Sequence, residues 1–599
     1  MRNVVKVVSV LLTLCLLLGI NLPAVHADEH GKTPKGDLPK YQVDVGTKGM
    51  VATAHPEATK IGADVLRHGG NAVDAAIAIQ FALNVSEPMM SGIGGGGFMM
   101  VYDAKKDKTT IIDSREKASA GSKPDMFLDK DGKPIPFDER VMMGDAVGVP
   151  GTLKGLETAY DKWGTVDWKK LVTPAEKLAK HGVKVNWVLA DAVKDNQEKL
   201  SRSAAKNIFL PNGEPLQKGD KLVQKDLAKT LNMIEKRGSA ALYHGPITKA
   251  LASTVQKFGG TMTEKDLSNY DVTVDKPLMG TYRGYKLATM PPPSSGGLTV
   301  LQILKLLEGY DMKQYGPRSP EKYNLLAEAM HVAYADRGAY IGDPKFVDVP
   351  MKGMLDDDYI AKRRQLIELG KANKSIKPGD PWAYQDGENH GYVEQPNDKK
   401  TGETTHFTVA DQWGNLVSYT TTIEQEFGTG IMVPGYGFML NNEMTDFDAV
   451  PGGANQVKAG KRPMSSMSPT IVFDKDGNPF MTVGSPGGKT IITSVAQTII
   501  NVIDYGMAPK QAIEEQRIYS PDYPDIRWEQ GVPENVRGQL EQLGYKFDKV
   551  PRDIGNVQMI RIYPNFYLGA ADSTRQGRAQ GIDHVKGARH DHHNRHNDK

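Results

Sequence analysis

Thr404 and Thr405 follow directly on Gly402 and Glu403, where a stretch rich in Lys, Asp, Asn, Gly and Pro (residues 370–402) gives way to strand-forming sequence. A threonine hydroxyl holds its proton too tightly at neutral pH to be a good nucleophile. A cut before Thr404 would place a new α-amine, with a reference pKa of ~7.7–8.0, on the same residue as a ready general base. Other nucleophiles and metal sets are missing from the pattern. The one cysteine, Cys15, lies in an apolar amino-terminal run, and no H-E-x-x-H, paired-cysteine or G-x-S-x-G arrangement occurs. Neither a metal nor a cofactor is expected. Gly94, Gly95, Gly96 and Gly97 read as a close backbone crossing and not as a phosphate cradle. Taken alone, Thr-Thr is equally good β-strand sequence.

The elements that must position such residues come in pairs. Residues 57–68 have helical spacing and stop at Gly69 and Gly70, and residues 71–83 form a second helix, apolar nearly all round and so buried. The glycine cluster feeds a hairpin, MMVYD then TTIIDSRE. Beyond residue 402 the texture becomes strand, turn, strand twice over (HFTVAD/LVSYTTTI and SPTIVFD/PFMTVGS), then a helix opening on glycines and late strands at NVQMIRIY and FYLGAAD. Hairpins with paired helices predict antiparallel sheets covered by helices, an α+β body. Residues 28–44 read as a mobile lead-in and residues 370–402 as an exposed, cleavable segment. The histidine-bearing tail, residues 584–599, reads as solvated chain.

The 599 residues are 39% hydrophobic and 24% charged, which excludes collagen-like, mucin-like or wholly disordered chains. The formal charge is +2, and Arg2 and Lys6 lie in a segment that reads as a secretory signal. That segment has a basic start, an apolar run too short to span a bilayer, and small residues Val25 and Ala27 before a cut after Ala27. The exported remainder is formally neutral and cysteine-free, a poor partner for nucleic acid or an anionic membrane. Secretion is expected, or a periplasmic location where the host has an outer membrane.

The ordered set DSREKA, then Thr404, EQEFGTG, LNNEMTDF, RPMSSMSPT and GSPGG resembles the γ-glutamyltranspeptidase (glutathione hydrolase) family across nearly the whole mature chain. That resemblance implies a four-layer αββα sandwich of the amino-terminal-nucleophile hydrolase type. It implies a precursor cut between Glu403 and Thr404 into a large subunit (28–403) and a small one (404–599), after loss of residues 1–27. Thr404 would then be the nucleophile of both self-cleavage and turnover, and Thr422 the threonine that orients it. Gly487 and Gly488 would supply the oxyanion-hole N–H groups. Arg115, Ser465 and Ser466 would bind the α-carboxylate of a γ-glutamyl group, and Asp446, with Glu424 and Glu443 beside it, its α-ammonium. Glu424 and Glu443 are neutral amides in some relatives. The chain from Asp446 to Arg462 is shorter than in many relatives, which implies that a lid is missing and the cleft is open. The implied activity is γ-glutamyl transfer from glutathione or other γ-glutamyl amides to water, amino acids or peptides. Alternatives are a poly-γ-glutamate-degrading or acylase relative with the same machinery, and a secreted solute-binding protein without catalysis.

Overall fold

In the computed structural model, residues 42–387, 391–393 and 402–585 are described. The expected signal segment and the tail beyond Val585 lie outside them, as does part of the segment before Thr404. Two seven-stranded, wholly antiparallel sheets carry the fold. In chain order the strands are β1 (Val43–Gly46), β2 (Gly49–Thr53), β3 (Gly96–Asp103), β4 (Lys108–Asp113), β5 (Thr273–Asp275), β6 (Leu278–Tyr282) and β7 (Tyr285–Thr289). Next come β8 (Thr405–Ala410), β9 (Leu416–Thr422), β10 (Thr470–Phe473), β11 (Pro479–Gly484), β12 (Gln558–Tyr563), β13 (Phe566–Ala571) and β14 (Arg578–Ile582). One sheet runs β1-β13-β12-β11-β10-β7-β6, the other β14-β2-β8-β9-β3-β4-β5.

The two-residue period of the strands decides which side chains meet. In the second sheet Met50, Ala52, Phe98 and Met100 point at the first sheet, whereas Val51, Met99, Val101, Phe407 and Val409 point at helices. Those helices are α1 (Pro56–Arg67), α2 (Ala72–Ser86), α3 (Thr152–Trp163), α4 (Trp168–His181) and α5 (Lys225–Arg237). On the far face of the first sheet lie α6 (Gly296–Leu307), α7 (Pro320–Tyr340) and α8 (Thr490–Ile503). The layers are therefore helix, sheet, sheet, helix, as expected.

Local chemistry explains the elements. Every residue of α2 is buried, in keeping with its apolar circumference. Its N-cap Asn71 accepts from the backbone of Val73 and Asp74 while the Asp74 carboxylate accepts from Asn71 N. The glycine cluster is a backbone crossing: a Cβ at Gly94 would strike the Met439 carbonyl and one at Gly95 the Thr422 carbonyl.

Two expectations need correction. The lead-in is already strand at Val43, because β1 pairs with β13. Residues 370–387 are pinned and not simply exposed. Asn373 N donates to Glu328 Oε2 at 3.0 Å, Gly379 N donates to Asp336 Oδ1 at 2.9 Å, and Trp382 packs into an apolar cluster.

Between the sheets, Gly484 of β11 lies against the His406 ring of β8, whose Nδ1 pairs with Thr420 Oγ1 at 2.9 Å. Burial pushes the His406 imidazole down to about 3, so the ring is uncharged. Gly484→Ala would drive a methyl into that ring, and a loss of about 1–3 kcal/mol in urea unfolding is expected.

Candidate active site

Thr404 sits one residue before β8, buried, and its hydroxyl faces Thr422, the last residue of the neighbouring strand β9. Thr404 Oγ1 donates to Thr422 Oγ1 at 3.4 Å, and Thr422 Oγ1 donates in turn to the Glu403 carbonyl at 2.7 Å. The backbone N–H of Glu424 donates to the same Thr422 oxygen at 2.8 Å, and Glu403 N donates to the Glu424 carbonyl at 2.6 Å. Glu424 makes both bonds at φ +78°, a left-handed conformation that costs a non-glycine residue about 1–3 kcal/mol. Arg575 closes the arrangement, donating to the Thr404 carbonyl at 2.8 Å and to Glu403 Oε2 at 2.6 Å. Thr405 anchors the strand start by donating to the buried Glu87 at 2.8 Å.

Thr404 and Thr422 line a cavity of about 450 Å³ together with Arg115, Glu424, Glu443, Asp446, Ser465, Ser466 and Gly488. Nine positions expected from separated stretches of sequence thus converge on one space. Gly487 stands just behind, its carbonyl accepting from Thr490 Oγ1 at 2.8 Å. Gly487 and Gly488 have φ +125° and +57°, and a Cβ on Gly488 would come within 2.7 Å of Gly402 N. Glycine at 488 is what lets the chain approaching Thr404 pass this closely. Glu403 touches the site through its backbone while its side chain pairs with Arg575.

The charged wall is built around Arg115, which leaves the end of β4 buried. Its guanidinium bonds Glu443, and donates to Asp446 Oδ2 at 2.5 Å and to the Pro463 carbonyl at 3.2 Å. The expected carboxylate-binding fork is therefore engaged with protein carboxylates. Glu116, also buried, stands 3.9 Å from the same guanidinium. Burial pushes the Glu443 carboxyl up to about 7 even though Arg115 opposes the rise. Burial and the charge of Glu443 raise Glu116 as well. Three carboxyls share one guanidinium, and their crowding favours the neutral forms of Glu116 and Glu443.

Opposite, Ser466 Oγ accepts from Arg337 Nη2 at 2.9 Å, Arg337 Nε donates to Ser295 Oγ at 2.8 Å, and Ser295 Oγ donates to the Ser465 carbonyl at 2.6 Å. Sequence reasoning missed Arg337, Ser295, Glu116 and Arg575. Glu116 adjoins Arg115 within DSREKA and was there to be found. The shortened stretch after Asp446 packs down, Phe447, Ala449 and Val457 joining Ala118 and Phe127, while Asp448 lines the cavity edge.

Comparison with known proteins agrees with this geometry. A family model described as gamma-glutamyltranspeptidase matches residues 58–582. The chain is 62% identical over 577 residues to the glutathione hydrolase proenzyme of Bacillus subtilis (strain 168), covering 96% of this chain and 98% of that protein. It is 42% identical to the glutathione hydrolase proenzyme of Escherichia coli (strain K12), covering 88% and 90%. Among solved structures, a cephalosporin acylase from Bacillus halodurans matches with a TM-score of 0.82 at 25% identity, over 94% of this chain and 100% of that one.

The hydroxyl of Thr422 is the group whose removal discriminates most sharply. Thr422→Val keeps the shape but deletes the donor to the Glu403 carbonyl. If that carbonyl is the one attacked, fragment formation in an electrophoretic time course slows by about 10²–10³, the usual cost of one oxyanion donor, and Thr422→Ser restores most of it.

Proposed function

The chain belongs to the γ-glutamyltranspeptidase family, and from that membership we propose a γ-glutamyl hydrolase and transferase that activates itself by cutting before Thr404. The observation that carries the reading is the run of hydrogen bonds from Thr404 Oγ1 through Thr422 to the Glu403 carbonyl. In the precursor the Thr404 oxygen adds to the Glu403 carbonyl carbon, the C–N bond breaks, and the departing nitrogen takes a proton. Water then hydrolyses the resulting ester. This returns the Thr404 hydroxyl, frees its α-amine, and leaves a large subunit, 28–403, and a small one, 404–599, once residues 1–27 are removed on export.

In turnover the α-amine of Thr404 accepts the hydroxyl proton as the oxygen attacks a γ-glutamyl amide, and the same proton is delivered to the leaving amine. Gly487 and Gly488 N–H groups face the developing oxyanion. The γ-glutamyl α-ammonium lies against Asp446, Glu443 and Glu424. Its α-carboxylate lies between Arg115 and Ser465 with Ser466, drawing Arg115 partly away from Asp446. Water completes hydrolysis; an amino acid or short peptide completes transfer. Glutathione, whose γ-glutamyl amide has this form, is the donor that the names of the relatives favour. The packed-down stretch after Asp446 leaves the cleft open to longer γ-linked donors.

Electrophoresis with amino-terminal sequencing tests the reading. Two bands are expected, the smaller beginning Thr404-Thr405-His406, whereas Thr404→Ala gives one uncut, inactive band. An intact wild-type chain that still turns over a γ-glutamyl anilide overturns it.

A second measurement follows from the buried carboxylate. Glu443 is protonated below about 7 and ionised above it, and only the ionised form attracts an ammonium. The inhibition constant of L-glutamate therefore falls several-fold between pH 6 and 8, and Glu443→Gln flattens that dependence.

A further inference from the structure

The cavity is longer than the γ-glutamyl end needs. From Arg337, beside Ser466, it follows one face of α7 through Tyr334 to His331, a run of about 9 Å at the helical rise. Its far wall is the strap of residues 373–378, which lines the same cavity. Two ties hold the strap along α7. Asn373 N donates to Glu328 Oε2 at 3.0 Å, and Arg363, paired with Asp336 of α7, donates to the Lys377 carbonyl at 2.8 Å. Ile376 packs into the main core between them. The strap is thereby held to present Lys374 and Lys377 to the cavity, with the Lys374 ammonium 5.9 Å from the centre of the Tyr523 ring. Carboxylates Glu443, Asp446 and Glu424 line the nucleophile end together with Arg115 and Lys489, and Lys374 and Lys377 line the other end together with Asp522, so the cations outnumber the carboxylates only at the strap.

We propose that Lys374 and Lys377 form a carboxylate-recognising subsite for the leaving or accepting peptide, selecting γ-glutamyl donors whose far end is anionic. This rests on the γ-glutamyl reading above and goes beyond it by naming what the distal wall selects. A γ-glutamyl dipeptide has an ammonium and a carboxylate at one end and a second carboxylate at the other. Lying along the groove, it sets its ammonium against the acidic end and its terminal carboxylate against the lysines. The lysines are solvent-accessible, so each contributes modestly and the attraction is screened by salt.

The test compares γ-glutamylglycine with γ-glutamylglycinamide, donors of one size that differ only in the terminal charge. The wild-type enzyme is expected to prefer the carboxylate form in kcat/KM at low ionic strength, and the preference to shrink as salt is raised. In Lys374→Gln/Lys377→Gln the ratio of the two kcat/KM values falls roughly three- to tenfold, and the charge-reversed Lys374→Glu/Lys377→Glu lowers it further. A wild-type enzyme indifferent to the terminal charge, or variants that lose both donors equally, overturns the subsite alone. Turnover of neither donor by the wild type overturns the γ-glutamyl reading and this one with it.

Discussion

One hydroxyl, that of Thr422, fixes the direction of the hydrogen bonds that join Thr404, Glu424 N–H and the Glu403 carbonyl. Thr422 Oγ1 has a single proton, and the Glu403 carbonyl, which can only accept, takes it at 2.7 Å. The Glu424 N–H can only donate, so it must enter Thr422 as a donor. Thr404 is then left to donate as well, at 3.4 Å. The hydroxyl of the nucleophile is polarised towards its neighbour by the same contact that polarises the carbonyl before it. Glu424 is left-handed where it turns its N–H to Thr422 and its carbonyl to Glu403. Ile423 before it, whose N–H donates to the Met90 carbonyl at 3.2 Å, and Gln425 after it, whose N–H donates to Asn442 Oδ1 at 3.1 Å, hold it there.

The acidic wall follows a similar logic of forced pairing. Taking Glu116, Glu443 and Asp446 close to one guanidinium removes charge from water that a single Arg115 cannot fully offset. The raised carboxyls of Glu443 and Glu116 are the symptom. A ligand that brings its own ammonium supplies the missing positive charge. A ligand carboxylate must compete for Arg115, and the pair Ser465 and Ser466, positioned through Ser295 and Arg337, gives it a second set of donors. A zwitterion satisfies both conditions where a simple anion or cation meets one.

What the sequence disclosed follows from how local each signal was. Residues 57–68 and 71–83 read as helices because their periodicity, Asn71 cap and Gly69 stop are contained in the elements themselves; the observed helices end within a few residues of those limits. The hairpins were legible from alternation and turn residues, and the αββα layering from the family resemblance. Arg337 was not legible as a site residue, because on its own helix it is one cation among mixed residues and its partner Ser466 lies 129 positions away. Arg575 was silent for the same reason, 172 positions from Glu403. Residues 370–387 misled because polar composition marks absence of an apolar face and says nothing of backbone bonds made to a neighbouring helix.

The strand order bears on why a break at residue 403 would leave the body standing. Pairing of β8 with β9 begins at Thr405 and Thr421, so no ladder bond spans the junction. Divided there, the first sheet would draw β1, β7 and β6 from the earlier part of the chain and the four strands between them from the later part. The second sheet would set β2 of the earlier part between β14 and β8 of the later, and β9 against β3. Each part is thus locked into both sheets on two sides, and separating them would open backbone ladders and the core between the sheets together. A cut that frees the Thr404 nitrogen therefore changes the chemistry of one residue while the architecture that positions Arg115, Ser466 and Gly488 around it stays closed.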